Sequence, residues 1–190
     1  MGKNKRRVFT VYDSLHKIQL EVDSIEEVEF LKWLCHANEL GIIIDFVYQP
    51  ESIILSKSET YLTTKNKTRT LFREHCYTPD FLIFFDKVKY PNLADEFKKY
   101  DETKSNVDKN CFGYYIDIKG SFNRNDGGRS FSINQKWVYS KYNIYVHKII
   151  PKQFFKEFGI LEEFKYTEKT KKLSKKYLGY QTIEEIFGIS

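Results

Sequence analysis

The chain has 190 residues, of which 41% are hydrophobic and 30% charged, and its formal net charge is +5. This length favours a single domain, and this composition is typical of a globular protein rather than a disordered one. No run of ~18 apolar residues could span a membrane, and the basic start, residues 1–7, lacks the apolar segment of a secretory signal. The three cysteines, Cys35, Cys76 and Cys111, have no metal-site spacing and suit a reducing compartment. The charge permits an anionic partner without requiring one.

Periodicity in the first half of the chain predicts a hairpin, a helix and further strands. Ser24 with Glu27 three residues later is typical of a capping box, and Gly41 stands where the helix should end. A β-branched and aromatic run closed by Pro50 predicts a strand after that helix. In chain order, these patterns predict strands over 8–12 and 17–22, a helix over 24–40, and strands over 42–48 and 52–55.

Further along the chain, two strongly apolar segments, 79–85 and 113–120, predict buried central strands. The charged stretch 86–112 between them predicts an insertion with a helical turn near 93–100. The other patterns predict a long hairpin or loop over 57–73, a flexible loop over 123–130, a helix over 131–142, a strand over 144–150, and helical pieces near 151–157 and 181–187. This order predicts an α/β fold with a central mixed sheet flanked by helices.

Acidic residues accompany both apolar strands. Asp80 follows a proline at the start of the first strand, and Asp117 lies near the end of the second. Burying a carboxylate is costly unless something compensates its charge, and one Mg²⁺ ion can compensate two carboxylates. Asp117 and Lys119 are two residues apart, so their side chains project from one face of the strand. An ammonium beside a metal ligand could orient the attacking water or stabilise the charge that develops on a phosphate.

These residues and their surroundings resemble the PD-(D/E)XK nuclease superfamily, which includes restriction endonucleases, phage Holliday-junction resolvases and the nuclease subunits of some transposases. The resemblance covers roughly residues 24–150. It rests on an ordered series of motifs: Ser24-x-x-Glu27 in a helix ending near Gly41, then Gln49-Pro50, Tyr77-Thr78-Pro79-Asp80-Phe81, and Asp117-Ile118-Lys119-Gly120. The order and spacing of these motifs are more specific than any one of them.

The resemblance implies a restriction-endonuclease-like core and an endodeoxyribonuclease that uses Mg²⁺, for which Mn²⁺ can substitute. Asp80, Asp117 and the backbone carbonyl of Ile118 would hold the metal, and Glu27 would complete the metal site or its water shell. Lys119 would be the catalytic lysine. The nuclease core would span 1–150, with an N-terminal hairpin and the insertion at 86–112, and 151–190 would be a helical C-terminal extension of the same domain.

A DNA substrate should contact basic or amide side chains near these acids. The candidates are Lys5, Arg6 and Arg7 of the basic arm, Gln49, Arg124 and Arg129 of the glycine-bearing loop, and Lys136 on the following helix. A frayed terminus explains the basic arm equally well, and a solvated helix face explains Lys136.

Each acidic motif also has a structural explanation. Asp80 could be a turn residue after a proline, and Asp117 with Lys119 could be an ion pair on a half-exposed strand. A capping box accounts for Glu27 without any catalysis, and Glu26 or Glu29 could take its place if the helix is rotated. The joint occurrence of these residues in this order favours a site.

The resemblance leaves several functions open. A phage-type junction resolvase or structure-selective endonuclease suits the short chain, and resolvases act as symmetric homodimers. A transposase subunit would need a recombinase partner, contacted through 151–190, and a restriction-type enzyme is a third option. The alternative of another class is a non-catalytic nucleic-acid-binding protein with the same fold. All of these predict a protein of the cytoplasm of a bacterial or phage-infected cell, with DNA and no membrane as partner.

Overall fold

A four-stranded mixed β-sheet lies at the centre of the structure, a computed structural model that describes residues 8–97, 111–120, 127–167 and 171–189. The elements are β1 (Phe9–Asp13), β2 (Ile18–Val22), α1 (Ile25–Glu39), β3 (Asp45–Tyr48), β4 (Ile53–Ser56), β5 (Glu59–Leu62), β6 (Thr68–Phe72), β7 (His75–Tyr77), β8 (Phe81–Asp86), α2 (Pro91–Phe97), β9 (Cys111–Ile118), α3 (Gly127–Tyr142), β10 (Val146–Ile149), α4 (Pro151–Phe158) and α5 (Ile183–Phe187). The strand order is β10-β9-β8-β3, with β10 parallel to β9 and the other two pairs antiparallel. The predicted class, a mixed sheet flanked by helices, is confirmed.

Helices cover both faces of this sheet. Phe81, Ile83 and Ile116 project from one face into a large core that they share with α1 and α4. A smaller core on the opposite face joins Tyr77 and Val146 to side chains of α3 and β4. Neighbouring residues of β8 and β9 therefore point to opposite layers, as the two-residue period of a strand requires.

The predicted starts of β3 and α3 were wrong. The strand expected over 42–48 begins only at β3, because the backbone N–H groups of Ile42 and Ile43 donate to the Ala37 carbonyl, at 2.8 and 3.2 Å, and close the end of α1. The loop expected over 123–130 is helical from Gly127 onward. Glycine is tolerated at a helix start, where the first N–H groups lack partners in any case.

In its described part, residues 86–97 and 111–112, the charged insertion predicted over 86–112 contains one helix. α2 begins at Pro91, whose fixed φ and missing N–H suit the first helical position, two residues earlier than predicted. Its predicted end, 98–100, lies outside the described residues. β9 begins at Cys111, so the last residues assigned to the insertion belong to the central sheet.

The segment 151–189 shares the main core. Phe154, Phe155 and Ile183 are buried with residues of α1, and the Trp33 indole N–H donates to the Gly159 carbonyl at 3.2 Å. The predicted helical pieces appear as α4 and α5, joined by short 3₁₀ turns at Glu162–Lys165 and Lys175–Tyr177. Among the described residues, no helix is long and apolar enough to cross a membrane.

All four strands of the central sheet begin or end at one common edge. β3 and β9 end at this edge, whereas β8 begins there, because Tyr48 pairs with Phe81 and Phe81 with Ile116. β10 runs parallel to β9 and ends at the same edge. The residues that follow or precede these strands, Asp80 among them, are therefore brought together in space.

Candidate functional site

Asp117 is a buried carboxylate near the end of β9, with 3% of its surface exposed. The Tyr77 hydroxyl donates to its Oδ2 at 2.5 Å, and the Lys119 ammonium forms an ion pair with its Oδ1. Within the described part of the chain, Oδ1 accepts no hydrogen bond and is met by this ion pair. Asp117 therefore presents a buried anionic oxygen whose charge is met from one side by Lys119.

Asp80 immediately precedes β8 and lies beside Asp117 across the two strands. The Ile118 backbone N–H donates to Asp80 Oδ2 at 2.6 Å. Burial raises the pKa of Asp80 to about 7, and the negative charges of Asp117 and Glu27 add to the rise, which the Ile118 N–H and the Lys119 ammonium only partly offset. The three carboxylates thus crowd negative charge into one buried region.

Glu27 lies in the first turn of α1, with 8% of its surface exposed. Its backbone N–H donates to Ser24 Oγ at 3.2 Å, which is the predicted helix cap. Its carboxylate does not return to the Ser24 backbone: Oε1 accepts from Ser24 Oγ at 2.7 Å and Oε2 from the Tyr48 hydroxyl at 3.1 Å. Capping therefore explains the backbone bond, while the carboxylate is held toward Tyr48 and the sheet edge.

Lys119 follows β9 directly and is half-buried. Its backbone N–H donates to the Ile149 carbonyl at 2.9 Å, which continues the pairing of β9 with β10. Its ammonium lies 5.6 Å from the ring centre of Phe131 and contacts Asp117. The prediction that Asp117 and Lys119 share a face is confirmed by this contact.

Gln49 is exposed at the end of β3, in a backbone conformation that only glycine adopts freely, with φ of +47°. Its N–H donates to the Asp80 carbonyl at 2.8 Å, and its side-chain amide donates to the Tyr48 hydroxyl at 3.2 Å. Backbone strain of this kind concentrates at functional sites. Of the seven predicted DNA-contacting residues, Gln49 is the one that the described contacts join to the acidic cluster.

Among the other six predicted DNA contacts, Lys136 is the one whose side chain the structure describes, and none of its described contacts reaches the cluster. Lys136 is exposed on α3, five residues after Phe131. Arg129 belongs to the first turn of α3, in a part whose side chains are not described. The remaining four, Lys5, Arg6, Arg7 and Arg124, lie outside the described residues.

Two tyrosines at the site were not predicted to have a role. Burial and the adjacent carboxylates, Glu27 beside Tyr48 and Asp117 beside Tyr77, raise the pKa of both hydroxyls. Both therefore stay protonated and act as hydrogen-bond donors to the carboxylates. Tyr77 is the first residue of the motif that contains Asp80, so its position in the sequence could have indicated a role. Nothing in the sequence separates Tyr48 from other strand tyrosines.

The alternatives to Glu27 differ in position. Glu29 is held by the Lys176 ammonium at 2.7 Å and the Tyr177 hydroxyl at 2.7 Å. Glu26 lies near the end of β9: its Oε1 would be 3.4 Å from a Cβ atom placed on Gly120, the residue after Lys119. Glu26 could therefore supplement Glu27 at this edge, whereas Glu29 belongs to a separate contact with the C-terminal segment.

The donor set fits a divalent cation with few protein ligands. In the described ranges, no group of three or more His, Cys, Asp and Glu side chains is arranged to hold a metal ion. Mg²⁺, however, takes one or two carboxylates and fills its other positions with water and substrate oxygens. Asp117 Oδ1 accepts no hydrogen bond within the described residues, and burial together with the neighbouring carboxylates raises the pKa of Asp80, so a bound cation would stabilise both groups in their charged form. Asp80 and Asp117 fit this role, with Glu27 held by its own hydrogen bonds beside them.

Divalent metal is expected to raise the melting temperature of the protein. A ligand at about ten times its dissociation constant stabilises the folded state by about 1.4 kcal/mol, which corresponds to about 3–6 °C for a chain of this size. Thermal unfolding with Mg²⁺ or Mn²⁺ should show this shift, and the Asp80→Asn/Asp117→Asn variant should lose it. The matched Glu59→Gln/Glu157→Gln variant, altered at two exposed carboxylates, should keep it. An equal shift in all three proteins would contradict a metal site at these aspartates.

Comparisons with protein families, with curated proteins and with solved structures find no match to this chain.

Proposed function

We propose that this chain is a Mg²⁺-dependent endonuclease that hydrolyses phosphodiester bonds in DNA, with a restriction-endonuclease-like core of the PD-(D/E)XK type. The observation that carries this proposal is the meeting of Asp80, Asp117 and Lys119 at one sheet edge, where β8 begins and the neighbouring β9 ends. Asp117 is buried there and Asp80 is half-buried. An ion pair between Asp117 and Lys119 would not need the second carboxylate, Asp80, whose pKa is raised by burial and by the charge of Asp117.

Each residue has a distinct part in this proposal. Asp80 and Asp117 would hold the metal with the Ile118 carbonyl, and Tyr77 keeps Asp117 in place through its short hydrogen bond. When bound, Mg²⁺ supplies Lewis acidity toward a phosphate oxygen and lowers the pKa of a coordinated water. Lys119 then positions the attacking water or stabilises the charge that develops on the phosphate.

In this proposal, Glu27 does not bind the metal directly. Its two oxygens already accept from Ser24 and Tyr48, so we assign it to holding water beside the two aspartates. Outer groups of this kind orient the ligands and waters of a metal site. Gln49, exposed next to Tyr48, is suitably placed to contact the substrate.

Among nucleases, we propose a structure-selective enzyme of the phage junction-resolvase kind. Such an enzyme would act as a homodimer, since two symmetric cuts need two symmetric sites. A transposase subunit would instead act with a recombinase, and a restriction-type enzyme would cut linear duplex at a fixed sequence. A non-catalytic DNA-binding protein would cut none of these substrates.

Cleavage of defined substrates tests this proposal. The purified protein is incubated with a four-way junction, a flap, single-stranded DNA and linear duplex, in Mg²⁺ and in EDTA. We expect metal-dependent cutting of the junction in preference to the linear duplex. Preference for one duplex sequence would favour the restriction-type enzyme, and cutting only after a recombinase is added would favour the transposase subunit. Binding without cleavage of any substrate in Mg²⁺ or Mn²⁺ would overturn the nuclease proposal.

A further inference from the structure

Strands β5 and β6 form a two-stranded ribbon that no other described element covers. They pair antiparallel, and all nine of their residues are exposed. Even Leu62 and Leu71 remain 69% and 63% exposed. A two-stranded hairpin is only marginally stable by itself in water. A ribbon that buries neither face therefore contributes little to the core. Its exposed side chains are available to contact another molecule.

The root of the ribbon is fixed to the body of the protein. β5 follows β4 and β6 precedes β7, and these two flanking strands pair with each other. The ring of His75 stacks on Trp137 at 5.5 Å and hydrogen-bonds Asn134 at 3.0 Å, both on α3. The Lys141 ammonium, also on α3, donates to the Ile54 carbonyl at 3.0 Å. The ribbon thus projects from an anchored base.

That base leads directly into the candidate active site. β7 ends at Tyr77, which holds Asp117, and Asp80 follows three residues later. Asn66, in the turn of the ribbon, precedes Tyr77 by eleven residues. At ~3.3 Å per extended residue the tip lies at most ~36 Å from Tyr77, about one helical turn of B-form DNA. A duplex at the site is therefore within reach of the ribbon.

The ribbon and its flanks concentrate positive charge. The segment 57–74 has five basic and two acidic residues, a net charge of +3 out of the +5 of the whole chain. Within the described residues, none of its five cations forms a salt bridge: Lys57, Lys65, Lys67, Arg69 and Arg73. The turn 63–69 carries three cations and no acid. Unpaired, exposed cations on a projecting element complement a polyanion better than they complement another basic protein chain.

The dimensions and side chains of the ribbon suit a DNA groove. Paired strands lie ~4.8 Å apart, and the major groove of B-form DNA, ~12 Å wide, admits a two-stranded ribbon. Arg69 lies opposite Tyr61 on one face, whereas Thr60 pairs with Thr70 on the other. Guanidinium, phenol and hydroxyl groups all hydrogen-bond phosphates or base edges. Both faces of the ribbon therefore offer contacts to the walls of a groove.

We propose that the β5–β6 ribbon inserts into the major groove of duplex DNA, with Lys65, Lys67 and Arg69 contacting phosphates. The location of this duplex beside the cut rests on the proposed nuclease function, whereas the binding itself requires no cleavage. The ribbon is then the main source of duplex affinity, and the acidic edge supplies the chemistry.

Equilibrium binding in EDTA tests this proposal without any cleavage. Fluorescence anisotropy measures the affinity of the full chain for a labelled duplex of roughly 30 base pairs, between roughly 50 and 200 mM salt. The Lys65→Ala/Lys67→Ala/Arg69→Ala variant should bind about 10- to 100-fold more weakly. Its log–log salt slope should fall by about 2–3, because each lost phosphate contact contributes about 0.9.

A matched variant controls for total charge. Lys89→Ala/Lys156→Ala/Lys172→Ala removes three exposed cations elsewhere and should stay within about threefold of the parent. Both variants should melt at the parental temperature, because the altered side chains are exposed. Equal weakening by the two variants, or parental affinity of the ribbon variant, would overturn the proposal.

Two further outcomes separate competing explanations. Duplex RNA of the same sequence should compete poorly, because the major groove of A-form RNA is too deep and narrow for the ribbon, and equal competition would overturn groove insertion. A change in oligomeric state of the ribbon variant at unchanged DNA affinity would make the ribbon a protein interface instead. A parent that binds through the ribbon but never cuts in Mg²⁺ would overturn the nuclease function and leave this inference standing.

Discussion

Replacing Lys119 by alanine is expected to lower DNA cleavage by roughly 10²–10⁴-fold, the range that a positioned acid–base or electrostatic group contributes. The Lys119 ammonium lies against Asp117 at the edge where the scissile phosphate would bind. DNA affinity should stay within about threefold, since one of many cations is removed. Single-turnover cleavage in Mg²⁺ with saturating protein measures the chemical step, and anisotropy in EDTA measures the affinity.

Two companion variants make this result specific. Lys156→Ala, which removes an exposed lysine of α4, should cleave at the parental rate. Asp117→Asn, which keeps the shape of the side chain but removes its charge, should lose cleavage at least as severely as Lys119→Ala. The Lys119 ammonium pairs with this carboxylate, and the proposed metal would bind it. Parental cleavage by Lys119→Ala would remove the lysine from the mechanism, and parental cleavage by Asp117→Asn would remove the metal site.

Replacing Asp80 by asparagine is expected to stabilise the metal-free protein at pH 8 by about 2–4 kcal/mol, while abolishing cleavage. Burial and two neighbouring carboxylates raise the pKa of Asp80 from 3.8 to about 7, and each unit of such a shift is worth ~1.4 kcal/mol. Folding therefore takes up a proton at this site between about pH 4 and 7. The parent loses stability as the pH rises through this window, and the neutral amide does not.

Denaturant unfolding in EDTA at a series of pH values measures this difference. The advantage of Asp80→Asn should be near zero below pH 4, grow between about pH 4 and 7, and level off above. The amide oxygen can still accept from the Ile118 N–H, so the local hydrogen bond survives. Glu157→Gln, altered at an exposed carboxylate, should show no such trend. A pH-independent difference, or a destabilised Asp80→Asn protein at pH 8, would contradict crowding of charge at this edge.

Local patterns predicted the elements near the site with good accuracy. The start of α1 at Ser24 followed from its hydroxyl cap, and the turn residues between two alternating segments predicted the β1–β2 hairpin. The apolar runs that became β8 and β9 were recognisable because strands buried on both faces need continuous hydrophobic residues. These predictions depend on residues close together in the chain, whose conformational preferences can be read from their side chains.

Predictions that depended on distant partners were less complete. Ile42 and Ile43 have high strand propensity, yet their N–H groups close α1 instead, because a buried carbonyl of Ala37 lies within reach. The hydrogen bonds of Tyr48 to Glu27 and of Tyr77 to Asp117 join residues 21 and 40 positions apart. The isolation of the β5–β6 ribbon also became visible only in three dimensions, because exposure depends on what the rest of the chain fails to cover.

The α/β class and the order of the motifs follow from local sequence patterns. The contact of Asp117 with Lys119 does too, because a two-residue strand period places both side chains on one face. The position of Asp80 beside Asp117 requires the folded chain, since it depends on the register of β8 against β9. The same register contributes to the raised pKa of Asp80, which burial and the charges of Asp117 and Glu27 produce together. Residue spacing can show that two charges share a face of one strand. The electrostatic interaction energy of two charges on different strands depends on the distance between them, which is established only when the chain folds.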